Sequence, residues 1–111
     1  MAIPHAQPAQ IVDVRPLGSE LPRAQTHTLL RTEQIEVIRL IVPTGKEIHE
    51  HRAKGEITVH CLEGRVEFAA LGKTQQLQAG ELLYLPTGEA HAVKGLENAS
   101  LLLTILLPKH A

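Results

Sequence analysis

His49 and His51 stand on alternate positions of the segment GKEIHEHRAKGEITVHCLEG, residues 45–64, and Glu56 and His60 follow within the same stretch. Imidazole nitrogens and a carboxylate are ligand types for a divalent transition metal, and either can also accept a proton. In an extended strand, side chains at i and i+2 leave the same face about 6.5 Å apart, so both imidazoles would reach one cavity. His91, in GELLYLPTGEAH at residues 80–91, is the natural third ligand: it follows a Pro-Thr-Gly turn and opens another apolar stretch. Three imidazoles from two strands make a metal site with open coordination positions. The plainer reading is a pair of polar residues on an exposed strand face, since seven histidines in 111 residues bring some together by chance. Ile48 alternates with the pair and takes the core face. In a barrel the opposite face of such a strand lines a ligand cavity.

Strands must position these groups. Short runs with strand composition cover 26–31, 35–42, 47–51, 57–62, 65–70, 74–78, 82–85, 90–94 and 100–107. Turn signals lie between most of them: PTG at 43–45, KG at 54–55, EGR at 63–65, LGK at 71–73, AG at 79–80, PTG at 86–88 and GLEN at 95–98. Many short strands at this spacing predict an all-β sandwich or small barrel. No segment carries a capped helical stripe, so few helices are expected. Residues 1–25 hold four of the seven prolines and are expected to form an arm, with at most one short strand around 11–14, ahead of a barrel domain over 26–111.

Composition excludes several classes of function. A net charge of −1 and a pI near 6.6 leave no electrostatic footprint for nucleic acid, and two aromatic residues, Phe68 and Tyr84, make no base-stacking platform. The leucine-rich run at 101–107 falls far short of the roughly 20 residues of a membrane helix, so it reads as a buried strand. Cys61 is the only cysteine; no internal disulfide can form, and a buried core thiol in a reducing compartment is expected. The N-terminal residues lack a basic region followed by an apolar core, which points to a cytoplasmic protein.

The segment GELLYLPTGEAH resembles the second motif of the cupin superfamily: glycine, five residues, proline, one residue, glycine, two residues, histidine. Gly80, Pro86, Gly88 and His91 match it. The motif's closing asparagine is replaced by Gly95. For the first motif two registers compete. Anchored on the histidine pair, it assigns His49, His51 and Glu56, with glycine spacings that do not fit. Anchored on Gly45 and Gly64 it counts without error, placing His51 at the first histidine position and putting Ala53 and Ile57 where the second histidine and the glutamate belong. A turn fixes register more firmly than a ligand's identity does, which favours the glycine register.

The resemblance, over 35–107, implies a single-domain cupin of jelly-roll-like double-stranded β-barrel type. It implies a divalent metal such as Zn, Ni, Fe, Mn or Cu held by His49, His51 and His91, with Glu56 swinging in from a loop, or else a metal-free pocket lined by the same imidazoles. The activities it implies range over a metal-dependent dioxygenase- or isomerase-type enzyme, a metal-free isomerase with a histidine base and Tyr84, and a binding or sensing module without turnover. The expected partners are a small-molecule ligand and a second copy of the chain, with no nucleic acid and no membrane.

Overall fold

A computed structural model describes residues 5–108. Its elements in chain order are a 3-10 helix (Gly18–Arg23) and seven strands: β1 (His27–Arg31), β2 (Ile35–Val42), β3 (Glu47–Arg52), β4 (Ile57–Ala70), β5 (Lys73–Gln78), β6 (Leu82–Leu85) and β7 (Ala90–Leu106). All pairing is antiparallel. β4 and β7 run side by side for most of their length. Their register slips between Cys61 and Val66, where both strands bend. On one side of the bend, the first half of β4 and the second half of β7 are flanked by β6 and by β2 with β1. On the other side, the second half of β4 and the first half of β7 are flanked by β5 and β3. Two sheets thus share two long bent strands, the layout of a jelly-roll barrel.

The bend is where the sequence expectation needs correcting. The EGR and GLEN signals predict loops between separate strands, yet residues 57–70 and 90–106 are each continuous. Gly64 has φ +76°, and a Cβ on it would run into the carbonyl of Asn98. Glycine here allows a sharp bend and a close backbone approach without ending the strand. Residues 11–14 form no strand; the arm lies in irregular backbone until the 3-10 helix.

Alternation along β4 sorts the two faces. Ile57, Val59, Cys61, Val66 and Phe68 are buried and join Val42, Leu77, Leu85, Val93, Ala99 and Leu101 in one core. Cys61 is fully buried, and burial pushes its thiol pKa up. Thr58 and His60 point to the outside. There, the arm and 3-10 helix cover part of the sheet, and Leu21, Leu29 and Ile41 are buried beneath them. The arm is tied down at Glu63, whose carboxylate accepts hydrogen bonds from the N–H groups of Leu17 (2.8 Å) and Gly18 (3.0 Å) and from the Ser100 hydroxyl (2.7 Å).

Candidate ligand site at the barrel mouth

β3 reaches the mouth of the barrel alongside the start of β7. Ile48 pairs with Val93 and His51 with His91, so three steps along β3 match two along β7. One extra residue between Ile48 and His51 is a β-bulge, and it reverses the alternation. Ile48 packs on the core, and His51 also turns inward: its ring centroid is 4.2 Å from that of His91, at a tilt of 59°. His91 is buried, and Phe68 stacks on it with ring planes 6° apart and centroids at 5.6 Å. His51, His91 and Phe68 therefore form a column descending from solvent into the core.

His49 is not part of this column. Simple alternation expects it on the same face as His51, but the bulge turns only His51 inward, and His49 stays on the outer surface opposite Ile48, where it lines a depression with Glu47, Glu67, Ala92 and Lys94. Glu56 also stays outside, in the loop before β4, near the Tyr84 phenol. The Glu56 charge, with burial second, raises the pKa of the Tyr84 phenol. Tyr84 faces outward beside Thr58, so it lines no barrel cavity, and His60 shares that outer face. In the inner positions, Ala53 packs against the core and Ile57 lies within it. The glycine register describes this geometry: His51, Ala53, Ile57 and His91 occupy the four family positions. Phe68 is not among the site residues expected from the sequence; its signal is that the chain's sole phenylalanine lies two residues after Val66 on an inward-facing run.

Both imidazoles have their inner nitrogen engaged. Nδ1 of His51 lies 3.1 Å from the carbonyl oxygen of His49, and Nδ1 of His91 lies 3.1 Å from that of Glu89. A carbonyl can only accept, so each Nδ1 carries a proton, and it is the neutral form of each ring that leaves Nε2 as an acceptor. Burial lowers the His91 pKa, the bond to Glu89 opposes that shift, and the neighbouring His51 adds to it. His91 is accordingly neutral at pH 7. Arg52, the next residue along β3, donates to the Gly88 carbonyl at 2.6 Å and ties this end of β3 to the Pro86–Gly88 turn that delivers His91.

A cupin-domain family model matches residues 38–106, and the chain belongs to the cupin family. Solved structures with the same fold include a conserved protein of unknown function from Streptococcus pyogenes, 22% identical, with TM-score 0.74 over 99% of this chain and 97% of that one. A cupin superfamily protein from Desulfitobacterium hafniense is 16% identical, with TM-score 0.75 over 93% of this chain and all of that one. A predicted oxalate decarboxylase from Thermotoga maritima is 23% identical, with TM-score 0.67 over 75% and 79% of the two chains. No curated protein matches the chain. At these identities the likeness is one of fold.

The family implies a transition metal, and the donor set decides whether this chain suits one. Catalytic zinc sites use three protein ligands and structural sites four. Here the four family positions supply two imidazoles, a methyl group and a sec-butyl group. Among the described residues no group of three or more His, Cys, Asp or Glu is placed to hold an ion. The residues do not fit the family's three-histidine, one-carboxylate centre. No helix among the described residues is long and apolar enough to cross a membrane.

Proposed function

We propose that the chain is a small-molecule-binding cupin in which Nε2 of His51 and Nε2 of His91 act together as hydrogen-bond acceptors at the barrel mouth. The observation that carries this reading is the pair of adjoining rings, 4.2 Å apart, whose Nδ1 atoms both lie against backbone carbonyls, so that Nε2 is the acceptor of each neutral ring. Such a pair recognises a ligand bearing two neighbouring donors, as a diol, an enediol or a protonated acid does. Apolar walls with a few fixed polar groups are the usual make-up of a small-molecule site. Binding without turnover is the function this arrangement supports.

The free Nε2 atoms also favour a second reading, in which a divalent transition metal is gripped by two nitrogens and its shell is completed from solution. Metal analysis of untagged protein separates the two. Binding by hydrogen bonds alone predicts less than about a tenth of an equivalent of transition metal and no rise in Tm on adding Zn, Ni, Mn or Fe. A full equivalent, lost in both His51→Ala and His91→Ala and kept in His49→Ala, would replace the first reading with the second.

A further inference from the structure

Glu50, Arg52, Lys73 and Glu89 line one hollow of about 340 Å³, where the ends of β3 and β4 meet the starts of β5 and β7. His51 turns inward between Glu50 and Arg52, so the hollow lies behind the histidine pair, on the outer face of the sheet. Two cations and two anions thus face one space, yet none of the ion pairs among the described residues includes any of them. Arg52 alone is held in place: its Nη1 donates to the Gly88 carbonyl, which steadies the guanidinium and leaves its other N–H groups for a ligand. The floor is low and apolar. Ala69, Ala90 and Ala92 supply it, on the strand faces opposite Phe68, His91 and Val93. Leu71 stands on the rim, 59% exposed. With Gly72 it forms the two-residue turn between β4 and β5, at φ +53° and +74°, where Asn, Asp or Gly is the usual first residue. A leucine in the left-handed region with its side chain in water is unfavourable on both counts, and a ligand that covers it removes the second.

Charge selects the ligand by elimination. An anion drawn to Arg52 and Lys73 meets Glu50 and Glu89, and a cation drawn to the carboxylates meets the two bases. A molecule carrying both charges satisfies both signs at once. Glu50 and Arg52 stand two residues apart on β3, so their side chains leave about 6.5 Å apart on one face. The ammonium and carboxylate of an α-amino acid bridge such a span with a charge-assisted hydrogen bond at each end. The hollow's volume is within the range of small-molecule sites. We propose that this hollow is a second ligand site that binds the zwitterion of an α-amino acid with an apolar side chain. Its carboxylate lies on Arg52, its ammonium on Glu50 and Glu89, and its side chain over the alanines against Leu71. The site stands independently of the function proposed above, because His51 and His91 open on the opposite face of β3 and β7.

Thermal unfolding of the whole chain tests this with leucine as the probe. Isocaproate, which lacks its ammonium, and isoamylamine, which lacks its carboxylate, are the controls. Leucine at about ten times a roughly millimolar Kd is expected to raise Tm by about 5 °C, and neither control at the same concentration should move it. In the wild type, leucine methyl protons should show NOEs to the methyls of Ala69, Ala92 and Leu71. Arg52→Gln should abolish the leucine shift. Glu50→Gln combined with Glu89→Gln should also abolish it and should make isocaproate raise Tm instead, an exchange of preference that a loss of folding cannot imitate. The proposal is overturned if leucine gives no shift, if either control matches it, or if the shift survives in Arg52→Gln. It is equally overturned if the double variant keeps its preference for leucine, or if the NOEs fall on the rings of His51 and His91.

Discussion

His91 carries two duties at one atom pair: its Nδ1 closes a local hydrogen bond to Glu89, and its buried ring keeps the lone pair on Nε2 available. Because the folded pKa lies below the ordinary 6.5, the unfolded chain binds this proton more readily. The stability tied to neutral His91 is therefore complete above about pH 6.5 and declines as pH falls below it, by at most about 1.4 kcal/mol per pH unit. Urea unfolding at pH 7.5 and 5.5 should show this loss in the wild type and a smaller one in His91→Gln. Glu63 has the same dependence on pH in a lower window. Burial pushes its pKa up, but the hydrogen bonds from Leu17, Ser100 and Gly18 outweigh this and leave it below 4.5, so the stability it contributes is present above that value and lost as pH falls through the folded pKa. Glu63→Gln should cost about 1–3 kcal/mol at pH 7 and flatten the acid limb of a stability-against-pH curve. At this scale the sequence was legible where glycines kept count, which placed His51 and His91. It was silent on which histidine a bulge would turn inward.

Among the elements, β3 shows the limit of period-two reasoning. An extra residue between Ile48 and His51 turns His51 inward while His49, next to Ile48, stays outward, and nothing in EIHEHR marks where it falls. Deleting Glu50 would restore plain alternation with Ile48 and His51 both still inward. That variant is expected to fold within about 1 kcal/mol of the wild type and to keep the His51–His91 ring contact, as a two-dimensional NOE spectrum would record. β7 explains the departure at the end of the second motif. A Cβ on Gly95 would collide with the Pro43 carbonyl, and the Gly95 backbone is bonded both ways to the turn before β3, to Gly45 N–H and to the Lys46 carbonyl. The motif's asparagine has no room here. Gly95→Asn should destabilise by about 3 kcal/mol or more, measured as a shift in urea midpoint at constant slope. Turn residues announced both bends correctly as changes of direction. They could not announce that pairing would continue across them, because that depends on a partner strand distant in sequence.

Across the whole molecule, the barrel closes its apolar interior but leaves Leu82, Tyr84 and Leu106 exposed on the outer sheet. Isolated exposed side chains are ordinary, whereas several on one sheet face mark a surface suited to association. The expected assembly is a pair of copies, seen in light scattering as twice the 12.1 kDa chain mass. Leu82→Glu combined with Tyr84→Ser should return it to a single copy without lowering the cooperativity of unfolding. The all-β class was readable from strand composition and turn spacing alone, because both are local. The burial of Arg39 under the arm was not, since a charged residue within an apolar run reads as solvent-facing until the chain that covers it is placed. One further consequence lies in β7, which hydrogen-bonds with β2, β3 and β4 and is the last strand in order. During synthesis, β1 can pair with β2, and β4 with β5 and β6, but β3 has no partner and nothing joins β2 to β4 until β7 arrives, so the barrel cannot close until residue 106 has cleared the exit tunnel. Until then the aliphatic face of β2 and β4 is open to chaperones and to neighbouring nascent chains.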